Sequence, residues 1–315
     1  MTGFEAFAQP APSPAEISAT LAPFVLERYA PGDARCAARR ARLLRTWRLK
    51  LARRRLFGWL PRGRRTQAYV EHSYDRTFAA RPWPETLPPS GEQAVAPEAK
   101  PTLAEFQGEG LLVRRYGLGR VHLLLMARVI RALGARTVLE VGAGTGINLF
   151  VLQALVPEAS FTGIELTETG VAQARTVIAA ERFPARLAQY CPAPVADADA
   201  YRRVDVRRGN ALDLPFAQGS FDLVFTRQAL EQMEMIRTPA LKEIARVARA
   251  HTLFVEPFAD ANRDALRRAY VAAKDYFSLG VDGLRDFGIE PVHWSRAFPQ
   301  NVCLGIELVV GRIGV

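Results

Sequence analysis

The sequence VLEVGAGTG, residues 138–146, places three glycines within five positions directly after a run of apolar residues. A short, β-branched run that ends in glycines is typical of a buried strand followed by a tight turn. Because glycine has no side chain, such a turn also lets a ligand lie against the backbone. The stretch therefore predicts a strand, a turn suited to a ligand, and then a helix with the sequence GINLFVLQALV.

The spacing of these glycines, Gly142, Gly144 and Gly146, is GxGxG. A dinucleotide fingerprint, GxGxxG, would need a further glycine at position 147, where this chain has isoleucine. Glu140 lies two residues before the first glycine, where it would oppose a phosphate but could hold an ammonium group. The pattern argues against a nicotinamide-dependent oxidoreductase. A nucleoside-binding turn and a plain strand-to-helix turn remain as alternatives.

Strand and helix patterns alternate after this turn. The predicted strands have the sequences TVLEV, SFTGIEL, VDVRR, FDLVFT, HTLFVEP and VCLGIELVVGRI. This alternation predicts a mostly parallel sheet covered by helices on both faces, with ligands at the carboxyl ends of the strands. Glu165 ends the second strand, where a carboxylate can accept hydrogen bonds from both hydroxyls of a ribose. The alternative is that Glu165 is a surface acid or a favourable charge at the start of a helix, and neither role involves a ligand.

Local signals also predict three helix boundaries. Thr102 and Glu105 form a T-x-x-E capping box, which is typical of a helix start. A helical pattern over residues 120–133 stops at a glycine. Thr238 followed by Pro239 predicts an N-cap and the first residue of another helix.

Four more motifs follow VLEVGAGTG at ordered intervals, namely GIEL, GNALDLPF, SFDLVFTRQALEQM and EIARVARAHTLFVEP. Together they resemble the class I S-adenosylmethionine-dependent methyltransferases over roughly residues 120–258. The resemblance implies an α/β fold, a three-layer Rossmann-like sandwich with a seven-stranded, mostly parallel sheet whose last strand is antiparallel. It also implies S-adenosylmethionine as the cofactor, bound across the first two strands, and no metal.

The resemblance assigns the cofactor-binding residues by position. The glycine turn would lie under the methionine part of the cofactor, and Glu165 would hold the ribose. Asn210 takes the place of an aspartate that contacts the adenine amino group, and its amide can both accept and donate there. The full set that the resemblance implies is Glu140, Gly142, Ala143, Gly144, Gly146, Glu165, Leu166, Asn210, Ala211, Leu212 and Thr226. Two positions depart from the family pattern, Gln232 in place of a histidine and Ala250-His251 in place of a PGG turn.

Methyl transfer from a sulfonium depends mainly on aligning the acceptor and excluding water. A base would help if the acceptor were a hydroxyl, and His293, His251 and Glu256 are the candidates near the predicted strand ends. Each of the three is otherwise explained as a packing or surface residue.

The net charge of +10 is local. Residues 34–65 hold thirteen Arg or Lys and no acid, so subtracting them leaves −3 on the other residues. A nucleic-acid acceptor needs several cations along one face, so this distribution favours a small-molecule, sugar or lipid-linked acceptor. The alternatives are a nucleic-acid or protein methyltransferase and a regulatory protein that binds the cofactor without turnover.

The N-terminal third differs in composition, which predicts an extension over residues 1–101 and a methyltransferase domain over 102–315. The extension combines a basic amphipathic helix over 34–60 with a proline-rich linker over 81–101. Asp33 is the expected N-cap. Four apolar side chains share one stripe of this helix, namely Leu43, Leu44, Trp47 and Leu51. Phe57 and Trp59 lie near the end of the stripe.

The composition of this helix predicts peripheral contact with an anionic membrane, and the alternative is that the stripe packs on the catalytic domain. No apolar run reaches the roughly 18 residues of a membrane span, so we expect a cytoplasmic protein. The three cysteines share no spacing that indicates a disulfide frame or a zinc site.

Overall fold

The computed structural model describes residues 12–56, 66–80 and 100–314. The helices are α1 (Pro14–Leu21), α2 (Ala34–Leu56), α3 (Gln67–Ala79), α4 (Gly117–Ala132), α5 (Ile147–Leu155), α6 (Glu168–Ile178), α7 (Ala185–Tyr190), α8 (Arg237–Val247) and α9 (Ala265–Lys274). The strands are β1 (Val25–Tyr29), β2 (Thr102–Phe106), β3 (Glu109–Val113), β4 (Thr137–Val141), β5 (Ser160–Glu165), β6 (Asp205–Arg208), β7 (Phe221–Arg227), β8 (Ala248–Glu256), β9 (Ile289–Ser295), β10 (Gln300–Asn301) and β11 (Glu307–Ile313).

Seven of these strands form the main sheet, in the order β6-β5-β4-β7-β8-β11-β9. The pairs from β6 to β8 are parallel, and β11 runs antiparallel to both of its neighbours. Alternate strand residues pack on opposite faces: Val138 lies in the core with α4, α5 and α6, and Leu139 lies in the core with α8. Covering of both faces explains the continuously apolar strands. The predicted three-layer, Rossmann-like fold is confirmed.

A second, antiparallel sheet has the order β1-β3-β2-β10. Its β2–β3 hairpin turns at Gln107 and Gly108, both with positive φ (51° and 82°), as the commonest two-residue hairpin loops require. The predicted helix start at Thr102 is therefore wrong, because cross-strand pairing prevails over the local capping pattern. Since β1 pairs with β3, residues before position 102 share a sheet with residues after it.

Two further boundaries differ from prediction. Helix α8 begins at Arg237, so Thr238 lies inside the helix and is not its N-cap. Proline is tolerated there because amides of the first helical turn have no intrahelical acceptor. Of the final predicted strand, residues 302–313, only Glu307–Ile313 forms a strand, β11, and β9 beside it was not predicted.

The basic helix is confirmed for Ala34–Leu56, and Asp33 Oδ1 accepts from the amides of Arg35 (2.7 Å) and Cys36 (3.4 Å) as an N-cap does. Phe57, Trp59 and most of the predicted linker lie outside the described residues. Leu43, Leu44 and Trp47 pack on a cluster that contains Tyr29, Leu266 and Cys303. The Trp47 ring meets the Tyr270 ring of α9 edge-on at 4.5 Å. These three residues of the stripe are thus covered by the protein itself, which is the packing alternative.

Among the described residues, none of the helices combines the length and the apolar character needed to cross a membrane.

Candidate functional site

A turn with three left-handed glycines connects β4 to α5. Gly142, Gly144 and Gly146 have φ values of +82°, +57° and +81°, which strain any residue with a side chain. The amides of Gly142 and Ala143 donate to the Ile164 carbonyl at 2.9 and 3.0 Å. The turn is thereby fixed to the end of β5.

Glu165 ends β5 and closes the turn from the other side. Its Oε2 accepts from the Gly144 amide at 2.7 Å, and its Oε1 accepts from the Thr167 amide at 2.9 Å and the Thr167 hydroxyl at 2.7 Å. An ionised carboxylate has about four acceptor positions, so about one is left for a ligand hydroxyl. For Glu165 to accept hydrogen bonds from both ribose hydroxyls, one of its hydrogen bonds to Gly144 or Thr167 would have to lengthen.

A cleft opens above these strand ends, and its empty space of ≈ 820 Å³ includes the open solvent at its mouth. It brings together six of the predicted cofactor residues, namely Gly142, Gly144, Glu165, Leu166, Asn210 and Ala211. Asn210 Oδ1 accepts from the Leu212 amide at 3.0 Å, so its amide nitrogen is the group suited to a ring nitrogen of adenine. Leu212 therefore supports the site through its backbone.

Four other predicted residues do not line the cleft: Glu140, Ala143, Gly146 and Thr226. Glu140 is fully buried, and its Oε1 accepts from Asn148 Nδ2 at 2.6 Å. Asn148 Oδ1 in turn accepts from Arg227 Nη1 at 3.1 Å. Among the described residues Glu140 Oε2 has no hydrogen-bond partner, and burial raises the pKa of this carboxyl to about 8.

The candidate bases lie in three different places. Glu256 ends β8, fully buried, and its Oε1 accepts from the amides of Ala229 (2.9 Å) and Leu230 (3.2 Å). Burial raises the pKa of Glu256 to about 7, although those two amides oppose the shift. His251 lies near the opposite end of β8, about 17 Å along the strand, and His293 lies on β9 at the edge of the sheet. Only Glu256 is brought near the cleft.

Glu256 holds the segment 228–236 that forms one wall of the cleft. Gln228, the first residue of this segment, has a positive φ of 51° and donates its amide to the Val255 carbonyl at 3.0 Å. A non-glycine residue in this conformation is held there by its surroundings and is common at ligand sites. The role of Glu256 in the structure is therefore to position this wall.

Helix α3 forms the facing wall and was missed in the sequence. Val70, Tyr74 and Phe78 line the cleft, and Phe78 lies 3.4 Å from the position that a Cβ on Gly144 would take. The helix is fixed by Asp75 Oδ1, which accepts from the Thr169 amide at 3.0 Å. The signal was the i, i+4, i+8 spacing of the three apolar residues, which marks one face of a helix.

The arrangement can be tested against the two nucleoside cofactors. The amides of residues 142–144 already donate to Ile164 and Glu165, so they are not available to cradle a pyrophosphate. The acid at the end of β5 suits a ribose, and Glu140 Oε2, which has no hydrogen-bond partner among the described residues, suits an ammonium group. These groups fit S-adenosylmethionine and do not fit a dinucleotide.

The strand order, the glycine turn and the acid after β5 define a nucleoside-binding, Rossmann-like domain. Residues 139–255 match the family model described as a methyltransferase domain, which spans somewhat more than a third of the chain. The chain thus contains a class I S-adenosylmethionine-dependent methyltransferase domain, and S-adenosylmethionine is its cofactor. No curated protein sequence matches the chain significantly.

Several solved structures are similar to the chain. The [4+2]-cyclase SpnF is 19% identical with a TM-score of 0.43, and the match covers 61% of this chain and 82% of SpnF. YcgJ from Bacillus subtilis is 17% identical with a TM-score of 0.44, covering 61% and 98%. Human N-acetylserotonin methyltransferase is 13% identical with a TM-score of 0.41, covering 62% and 56%. Likenesses of this size do not bear on what this chain acts on.

Proposed function

We propose that the protein methylates a small-molecule acceptor with a largely apolar body, lipid-linked acceptors included, bound in the cleft beside the cofactor. The observation that carries this proposal is the apolar character of the two walls. Val70, Tyr74 and Phe78 on α3 face the second wall, to which Met233 and Ile236 contribute. Apolar walls of this kind select ligands by burying apolar surface.

With the cofactor on the strand ends, the apolar walls would remain for the acceptor. The polar parts of S-adenosylmethionine would be held by Glu165 and Asn210 at the strand ends. Met235 lies at the rim of the cleft with 52% of its surface exposed, so the apolar surface continues to the solvent. Exposed apolar surface at the mouth of a cleft is suited to an acceptor that enters from outside.

The bound cofactor supplies an activated methyl group on a sulfonium. The chain's residues then hold the acceptor in line and exclude water, which supplies most of the catalysis in such a reaction. Tyr74 and Phe78 would orient the acceptor, and Glu256 would keep the segment 228–236 in place through the Ala229 amide.

The charge of the cleft favours a small molecule over a nucleic acid. Among the described residues that line it, Glu165 carries the one formal charge at neutral pH, and it is negative. A nucleic-acid acceptor would need cations there to hold its phosphates. A sugar acceptor would need more polar groups than the walls offer.

Release of S-adenosylhomocysteine is the measurement that tests the proposal. The acceptors would be small molecules with and without an acyl or aromatic body, a sugar, an RNA oligonucleotide and a peptide. Tyr74→Ala should raise the KM of the preferred acceptor roughly tenfold, as expected when most of an aromatic contact is removed. Tyr69→Ala is the matched control, since Tyr69 is half exposed on the same helix and does not line the cleft.

Three results would contradict the proposal. Transfer to RNA or peptide alone would support those alternatives. Cofactor binding without turnover on any acceptor would support a regulatory protein. Equal KM values for Tyr74→Ala and Tyr69→Ala would remove α3 from the acceptor site.

A further inference from the structure

The side of α2 that faces away from the protein has a composition of its own. Helix α2 has 23 residues, so it is about 35 Å long. Its inward stripe packs on α9 and the small sheet, as described above. Its outward face consists of Arg42, Arg45, Leu49, Arg53 and Leu56, all exposed.

The charges on this face are not compensated within the described structure. The ion pairs found along α2 involve other arginines: Arg35 and Arg39 pair with Glu27, Arg40 with Glu105, and Arg54 with Asp275. None of the three arginines of the outward face has an acidic partner among the described residues. The helix itself contains no acid. Within residues 12–56, 66–80 and 100–314 the face therefore carries a row of uncompensated positive charge.

Two leucines lie on the same face. Leu49 is 57% exposed and Leu56 is 72% exposed, the largest exposed fraction among the large apolar residues described. They are seven residues apart, so they lie about 10 Å from each other along one side of the helix. Arg45 and Arg53 precede and follow Leu49 by one turn each. The leucines are thus bordered by cations and not covered by any described part of the chain.

We propose that the outward face of α2 docks the protein on an anionic phospholipid bilayer. The arginines would meet the lipid headgroups while Leu49 and Leu56 enter the boundary between headgroups and acyl chains. A nucleic acid would match the charges equally well but would give the leucines no apolar environment. This pairing of cations with exposed leucines favours a lipid surface. The proposal does not depend on the identity of the methyl acceptor.

The test is co-sedimentation of the full chain with phosphatidylglycerol vesicles and with phosphatidylcholine vesicles. Binding to the anionic vesicles should weaken between about 0.1 M and about 1 M salt, as the Debye length falls from about 10 Å to about 3 Å. Arg45→Gln/Arg53→Gln should weaken it about twenty-five-fold at low salt, roughly fivefold for each cation. Leu49→Ser/Leu56→Ser should abolish the binding that persists at high salt.

The matched control is Arg175→Gln/Arg182→Gln, which removes one exposed arginine from the last turn of α6 and another four residues after that helix, neither of them on α2. This control should bind vesicles as the unchanged protein does. All variants should bind S-adenosylhomocysteine normally, which shows that they are folded and separates this test from the methyltransferase activity.

Four results would overturn the proposal. They are absent binding to anionic vesicles, equal binding to both kinds of vesicle, equal losses in the Arg45/Arg53 and Arg175/Arg182 variants, and no effect of the leucine substitutions. Tight binding to an RNA or DNA oligonucleotide that ignores the leucine substitutions would identify the face as a nucleic-acid surface instead.

Discussion

Replacing Glu140 by Gln tests whether this buried acid holds the ammonium group of the cofactor. The carboxyl is fully buried, its Oε1 is bonded to Asn148, and its Oε2 has no partner among the described residues. Burial raises its pKa to about 8, so it is largely protonated at neutral pH before a ligand binds. A cation beside Oε2 would favour the ionised form. Binding of the cofactor should therefore release a proton.

The pKa of Glu140 sets the size of this effect. If binding requires the ionised acid, the available fraction rises from about one in a hundred at pH 6 to about one half at pH 8. The affinity should then rise about fifty-fold over that interval, which corresponds to about 2 kcal/mol. In Glu140→Gln the affinity should be independent of pH, and at pH 8 it should be well below that of the unchanged protein.

Calorimetric titration with S-adenosylhomocysteine at several pH values measures the affinity directly. Repeating the titration in buffers of different ionisation enthalpy gives the number of protons released. Methylthioadenosine is the matched control ligand, because it has the nucleoside and the sulfur but no amino-acid group. Its binding should show no such dependence on pH.

The reasoning is refuted if S-adenosylhomocysteine binds with the same affinity at pH 6 and pH 8. It is also refuted if Glu140→Gln binds as tightly as the unchanged protein at pH 8. In either case Glu140 would support the strand end through Asn148 and would not contact the ligand.

Three further predictions concern the cleft and its supports. Glu165→Ala should weaken S-adenosylhomocysteine binding by about 1.5–3 kcal/mol, and an unchanged calorimetric affinity would remove Glu165 from the site. Gly144→Val should abolish that binding. The control is Gly134→Val, because Gly134 has a similar φ of +63° and no atom within 4 Å of an added Cβ, so this variant should bear comparable backbone strain and bind normally. Equal binding by both variants would show that the turn is not part of the site. Burial raises the pKa of Glu256 in the folded protein to about 7, above its value in the unfolded chain. Folding therefore takes up a proton between about pH 4.5 and 7. The free energy of unfolding should fall as the pH rises through this range, by up to about 1 kcal/mol per pH unit. Urea unfolding of Glu256→Gln should show a shallower decline, and an identical slope would contradict the assignment.

The parts of the site that were predicted from sequence are those in which neighbouring residues in the chain determine the structure. The turn after β4 needs positive φ at Gly142, Gly144 and Gly146, and few residues other than glycine adopt it. Glu165 follows from its place at the end of a predicted strand. These features are local, so their spacing in the sequence is enough to place them.

The facing wall could not be predicted in this way. Phe78 lies beside Gly144 although the two residues are 66 positions apart, and the spacing of Val70, Tyr74 and Phe78 shows only that α3 has an apolar face. Strand β9, which was also not predicted, contains Pro291, a residue that is rare in sheets. It is an edge strand of the sheet, where a missing amide is tolerated.

Helix α2 shows what the periodicity of apolar residues can and cannot predict. The stripe with Leu43, Leu44 and Trp47 predicts that one face is buried, but the pattern is the same whether a membrane or the protein covers it. Residues of the same chain are present at a high effective concentration, so an apolar cluster that includes residues of α9 binds the stripe in preference to an external surface. Leu49 and Leu56 lie outside that stripe, and packing among the residues that the structure describes does not explain them. Once the inward face is accounted for, these two leucines are the residues whose exposure calls for an external partner, and substituting them separates a lipid surface from a merely solvated helix.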